Sequence, residues 1–308
     1  MSQELSYTIE EVAQLLKVSK LTIYDLVKKG ELPVFRVGRQ MRMDAKDLEK
    51  YITDSKSPTS PVPIAEPHRN EEKGTPTLVI SGQDMVLDIL GQYIEKDSGH
   101  KTLRSNTGSL SGLISMYNGD SDIVSMHMFD GDTGEYNLPY IKKILVGYPY
   151  ILFNLVSRNA GLYVKKGNPF NLTTWNDLNK DHLTIINRER GSGARILLDE
   201  QLKIHKIPPK SLKGYENEET NHLSVASAVS SGIADIGVGI EKAAKIVGVD
   251  FIPLITERYD LVLLKTPKNE QIIKIVKRIL SSNPFQAEID ALGDYDISRT
   301  GSIIHETF

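Results

Sequence analysis

Cysteine is absent from the 308 residues, which removes thiol catalysis, disulfide frameworks and thiolate metal sites at once. Long apolar runs are absent too, and none approaches the ~20 residues a membrane-spanning helix needs. The opening Met1-Ser2-Gln3-Glu4-Leu5 has neither a basic n-region nor an apolar h-region, so no export signal is expected and the expected location is the cytoplasm. Charge of one sign is also lacking. With 37 basic and 40 acidic residues the net charge is −3, so any nucleic-acid surface must be local. The seven histidines show no zinc-motif spacing. No P-loop or G-x-S-x-G elbow occurs, and in Gly237-Val238-Gly239-Ile240-Glu241-Lys242 a lysine stands at the third glycine of a dinucleotide loop. No enzyme, cofactor or metal cation is therefore expected. What remains is a globular composition, 40% hydrophobic and 25% charged, long enough for one small and one large domain.

A local basic stripe does exist. Between Lys17 and Arg42 seven basic residues face only Asp25 and Glu31, a local excess of five. Within it, Thr8-Ile9-Glu10-Glu11 fits a capping box, followed by Ile9, Val12, Ala13, Leu15 and Leu16 at helical spacing. Ser19 caps a second helix to about Lys29, which Gly30 stops. Val34–Val37 and Gln40–Met43 around Gly38-Arg39 read as a hairpin wing, and Asp44 caps a last short helix ending near Ile52. The first residues of a second helix in such a motif enter the major groove. Those are Lys20, Leu21, Thr22 and Tyr24, with Lys28, Arg36, Arg39 and Arg42 placed for phosphates or the minor groove. Tyr7 to Ala13, Lys29-Gly30-Glu31-Leu32-Pro33 and Gly38-Arg39 together resemble the excisionase-like branch of the MerR-type winged helix-turn-helix family, which implies binding to double-stranded DNA.

The expected domains are 1–54 for this head, 55–74 for a Ser/Pro/Thr-rich linker, and 75–308 for an α/β domain. In the last, strands alternate with helices, which implies parallel, doubly wound sheets in two lobes, with chain crossings near 150–160 and 255–260. Three strand-to-helix junctions share one chemistry. They are Ser81-Gly82-Gln83, Thr107-Gly108-Ser109 after Asn106, and Arg188 to Ala194, which carries Arg190, Gly191, Ser192 and Gly193. Each offers small residues, hydroxyls and free backbone amides at a helix N-terminus, the arrangement an anion requires. Asp84, Glu189 and Asp235 lie nearby and are expected to cap helices or pair with arginines, because an unpaired carboxylate beside an anion is costly. His127 reads as a structural histidine after a buried strand.

These junctions, with Gly119 to His127, Ala234 to Gly239 and Glu257-Arg258-Tyr259-Asp260, are similar to the periplasmic-binding-protein fold (type II) of the molybdate and tungstate type. The similarity implies a two-lobed clamp closing on a tetrahedral oxyanion, with Tyr259 among the site residues. The chain departs from that pattern in carrying only Ser81 where exported tungstate binders have a Ser/Thr run, and Ala194 where a hydroxyl is common. The combined expectation is a one-component transcriptional regulator, a homodimer on DNA, with molybdate or tungstate as effector. Phosphate, an organic anion or molybdenum cofactor remain open as ligands, and an excisionase-like architectural DNA binder remains open as a function.

Overall fold

The computed structural model describes residues 6–16, 18–28, 32–38, 40–48, 51, 76–180 and 182–308. The chain divides into two compact units, Met1–Glu66 and Pro67–Phe308.

In the first unit, helices Ile9–Leu16 and Lys20–Lys28 pack on a three-stranded antiparallel sheet of β1 (Ser6–Thr8), β2 (Phe35–Val37) and β3 (Gln40–Asp44), in the order β1-β3-β2. The capping box is present: the Thr8 amide donates to Glu11 Oε2 at 2.7 Å, and the Glu11 amide to Thr8 Oγ1 at 3.3 Å. Ser19 Oγ accepts the Thr22 amide at 3.1 Å and starts the second helix. Ile9, Val12, Ala13, Ile23, Leu32, Met43 and Leu48 form the core. The wing gains a third strand that the sequence reading did not anticipate. Three residues are too short for a periodicity signal, and β1 exists only because it pairs with β3, Tyr7 opposite Met43.

The second unit is built on a nine-stranded sheet. Its strands are β4 (Thr77–Ser81), β5 (Lys101–Ser105), β6 (Ile123–Met126), β7 (Tyr150–Val164), β8 (Ile185–Arg188), β9 (Glu218–Glu219), β10 (Ile236–Ile240), β11 (Asp250–Leu264) and β12 (Ile303–Glu306). The order is β5-β4-β6-β11-β7-β10-β8-β9, with β12 also on β7. The outer pairs β4–β5, β4–β6, β8–β10 and β8–β9 are parallel, as expected. The centre is not. β7 and β11, each 15 residues long, pair antiparallel from Val164 opposite Asp250 to Tyr150 opposite Leu264. They run through both lobes, and the expected chain crossings fall inside them. The segments Phe251–Leu254 and Leu261–Leu264, read as separate strands, are one strand interrupted by irregularities at Pro253/Ile255 and Tyr259/Asp260.

β7 lacks alternation because both its faces are covered, a pattern that yields near-continuous apolar sequence. Ile151, Phe153 and Leu155 enter one core of the first lobe, Tyr150 and Leu152 the other. Farther along, Ala160, Leu162 and Val164 enter one core of the second lobe and Tyr163 the opposite one. Among the described residues no helix is long and apolar enough to cross a membrane.

Gly161 lies on β7 opposite Pro253 of β11, and a Cβ there would lie 1.9 Å from the Ile252 carbonyl oxygen. Backbone cannot yield as a side chain does, so Gly161→Ala is expected to destabilise the domain by about 1–3 kcal/mol. Urea denaturation checks this, and an unchanged midpoint would show that the strands separate freely here.

Candidate functional site

On the small unit, Thr22, Tyr24 and Lys28 of the second helix and Arg36 of the wing are exposed. Tyr24 is 45% exposed, which places it outside the core of this unit. Two of the expected DNA contacts are engaged within the unit. Lys20 Nζ lies 2.6 Å from Glu10 Oε1, and the pair is well exposed, so it is weak and breakable. Arg42 is a correction of a different order. Its Nη1 reaches Ser6 Oγ at 3.2 Å across the sheet, so it ties β3 to β1. Thr22 Oγ1 is 2.9 Å from Ser19 Oγ and still exposed. Arg39, Lys17, Lys29, Gly30, Ile52, the linker at 55–74 and the side chain of Leu21 lie outside the described residues.

On the large unit a cavity of about 40 Å³ opens between the lobes. From the first lobe it is lined by Gly82, Gln83, Asp84, Thr107, Gly108, Ser109, Ser125, His127 and Tyr259. Arg188, Ser192, Gly193, His222 and Ile240 close it from the second, and Arg158 stands on the strand crossing between them. Three of the junctions singled out in the sequence thus meet at one point. The helices Ser109–Tyr117 and Gly193–Ile204 both begin here, and first-turn amides have no acceptor inside their own helix. Ser192 Oγ caps the second of these by accepting the Arg195 amide at 3.3 Å.

Close approach explains two glycines. A Cβ on Gly82, whose φ is +140°, would fall 1.8 Å from Ser125 Oγ, and one on Gly193 would fall 2.5 Å from the His127 ring. The lobes also touch directly. The Leu110 amide donates to the Gly191 carbonyl at 3.0 Å, and Arg188 Nη2 donates to Gln83 Oε1 at 2.6 Å.

Four expected ligand residues do not line the cavity. Ser81 Oγ is turned to Ser121 Oγ at 2.7 Å, inside the packing of the first lobe. The Ala194 methyl is in the apolar core of the second lobe. Gly191 contributes its carbonyl to the contact with Leu110. The Arg190 side chain is 74% exposed and pairs with Glu216 at 2.8 Å. Strand-to-helix loops alternate inward and outward residues, which a sequence window cannot resolve.

Conversely, the charged centre of the cleft was missed. Arg158 of β7 is buried and bridges two carboxylates: its Nε donates to Glu257 Oε1 at 2.5 Å and its Nη1 to Asp84 Oδ2. Glu257, directly opposite on β11, also meets His127 Nδ1 at 3.0 Å. Asp84 accepts further hydrogen bonds from the Val86 amide at 2.9 Å and Tyr295 OH at 3.0 Å. The guanidinium lies 4.4 Å from the centroid of the Tyr259 ring, whose hydroxyl meets Ser125 Oγ at 2.6 Å. The signal that could have found Arg158 and Glu257 is a charge set deep in a long apolar strand. The expected pairing of the nearby carboxylates is present: Asp84 with Arg158, Glu189 with Arg188, and Asp235 with Lys165, a lysine in place of an arginine.

Burial alone would raise the Glu257 carboxyl, but Arg158 and His127 outweigh it and hold it at about 2. Burial, then the charges of Arg188, Arg158 and His127, push His222 well below the usual histidine range, so its ring is neutral near pH 7. Two polar atoms in the cleft have no partner among the described residues: Thr107 Oγ1 on the first lobe and His222 Nδ1 on the second. Leaving such an atom unpaired costs about 1–3 kcal/mol.

Fold and cleft together define a two-lobed binding domain carried by the same chain as an excisionase-like helix-turn-helix. The chain belongs to the PBP superfamily, whose domain model matches residues 91–281, and a helix-turn-helix domain model matches residues 6–56. The Bacillus subtilis (strain 168) protein YvgK is 51% identical over the whole of both chains. The crystal structure of the tungstate ABC transporter from Geobacter sulfurreducens superposes with a TM-score of 0.53 at 14% identity, covering 70% of this chain and 98% of that one. A phosphate ABC transporter substrate-binding protein from Clostridium perfringens, with bound phosphate, does so at 0.53 and 15%, covering 71% and 98%. At these identities the solved structures share the fold alone.

The depressed Glu257 carboxyl has a sign for stability. Its folded value lies below the ordinary 4.5, so its contribution is complete above that pH and is lost as pH falls toward about 2. Glu257→Gln should flatten the loss of stability between pH 5 and 2, measured by denaturant titration at each pH. A variant whose pH profile overlays the wild type would remove Glu257 as the titrating group.

Proposed function

We propose that the protein is a ligand-responsive transcriptional regulator whose two-lobed domain closes on one tetrahedral oxyanion, molybdate or tungstate first among them. The observation that carries this reading is the cleft itself: a cavity of about 40 Å³ lined by three helix starts, two arginines and two polar atoms unpartnered among the described residues, one on each lobe. That volume is far below the roughly 300–1,000 Å³ of pockets for drug-sized ligands, which argues against an organic cofactor as the ligand of this closed form. Within it, Asp84 and Glu257 are already committed to Arg158, Tyr295, His127 and a backbone amide. What the walls have left are backbone amides, which only donate, and the Thr107 hydroxyl and neutral His222 ring, which can donate or accept; no free carboxylate is among them. A fully deprotonated dianion wants donors only, whereas monohydrogen phosphate wants one acceptor, usually a carboxylate.

The signal would run through the crossing strands. A ligand shifts an equilibrium only by binding its two states unequally. An anion held by amides of both lobes binds the closed state better, and β7 and β11 are the elements that must bend for the lobes to part. A homodimer on a two-fold DNA site is the assembly that a single small helix-turn-helix calls for, acting in the cytoplasm, where its DNA is. This is a binding role with no cofactor, and the oxyanion is its effector.

A thermal-shift panel tests the sensor. At ~100 times its Kd a ligand stabilises by roughly 2.7 kcal/mol, a rise in melting temperature of several degrees. Molybdate and tungstate should give that rise while sulfate and phosphate give little, and a flat response to all four overturns the proposal. Gel shifts test the head. Lys28→Ala and Arg36→Ala should each weaken DNA binding and lower the slope of log K against log salt by about 0.9, while the thermal response to anion persists. Wild-type affinity in both variants would move the DNA face elsewhere.

A further inference from the structure

Resting on the oxyanion reading above, we propose that His222 is a ligand-contact residue, donating a hydrogen bond from Nδ1 to the anion and opposing Thr107 across the cleft. Neither side chain is bonded within the protein at these atoms, and both line the cavity. They are the two cavity-lining groups among the buried, unpartnered side-chain atoms of the described residues, and they approach from opposite lobes.

The position of His222 is built, not incidental. It is the first residue of the His222–Ser230 helix, whose cap Asn221 accepts the Ser224 amide at 2.8 Å. Just upstream, β9 pairs with β8, Asn187 opposite Glu218, and Arg188 Nη2 donates to the Thr220 carbonyl at 3.2 Å. The arginine of the glycine loop thus fixes the segment that delivers the histidine. The groups facing the ring are Arg188 from β8, Arg158 from β7, and His127 from the loop after β6, its ring centroid 6.3 Å away. His127 is itself bonded to Glu257, so its Nδ1 is spent. Burial, with the charges of Arg188, Arg158 and His127 added to it, keeps the His222 ring neutral, and a neutral imidazole can place its one proton on the nitrogen that faces an acceptor. Oxygens of a dianion supply that acceptor for both His222 and the Thr107 hydroxyl.

Isothermal titration with sodium tungstate tests this on the full chain. His222→Leu removes the donor and should weaken binding about tenfold to a hundredfold. His222→Asn carries its amide nitrogen near the place of Nδ1 and should retain affinity within about threefold, whereas His222→Gln, reaching toward the place of Nε2, should not. Melting curves without anion establish that each variant is folded. In the wild type, the ¹⁵N resonance of His222 Nδ1 should move on saturation with tungstate, a readout that needs no folded variant beyond its assignment. Wild-type affinity in His222→Leu, equal losses in the Leu and Asn variants, or an unmoved resonance at saturation overturns the assignment of His222 while leaving the oxyanion reading intact. No binding of tungstate or molybdate to the wild type overturns both.

Discussion

One guanidinium organises the large domain. Arg158 sits where β7 and β11 cross from lobe to lobe, and it bonds Glu257 across the strand pair and Asp84 at the start of the first lobe's leading helix segment. Charges so buried persist only when paired and hydrogen-bonded, and removing one partner of such a set costs about 3–5 kcal/mol. The arrangement ties the strands that join the lobes to the cleft between them. The side chains that hold the crossing strands together are the same ones that set the field inside the cavity, and Tyr259, packed under the guanidinium, connects them to Ser125.

That arrangement also sets the charge balance of the cleft in a chain whose net charge is −3. The cleft does not rely on surplus positive charge. Its arginines are each matched by carboxylates, and what remains toward the cavity is amides at helix starts and side-chain atoms left unpaired among the described residues. A site of this kind favours shape and donor count over bulk electrostatics. The small unit works the other way. Its basic residues are concentrated in a short stretch of sequence, where Lys28 and Arg36 are exposed, although Arg42 and Lys20 show that some of that charge serves the unit's own structure.

Much of this was legible from local pattern. The capping box at Thr8, the serine cap at Ser19, the glycine loops and the strand–helix alternation each depend on residues within a few positions of one another, and all are present. The central strands were harder. β7 is buried on both faces, so it shows no period of two, and β11 was split because Pro253 and the irregularity at Tyr259/Asp260 interrupt its pattern. Within the loops, sequence located the junctions but not the direction of each side chain: Ser81, Arg190 and Ala194 were placed in the site and stand outside it.

The sequence by itself determined the two-part organisation, the helix-turn-helix head and the three glycine- and serine-bearing loops at helix starts, because caps, turns and periodicity are short-range physics. Only the tertiary structure decided what fills the space between those loops. Arg158 meets Asp84 across 74 residues and Glu257 across 99, and His222 reaches the cleft through the pairing of Arg188 with Glu219, 31 residues on. Contacts of that range leave no local trace, since each partner is chosen by where the folded backbone brings it.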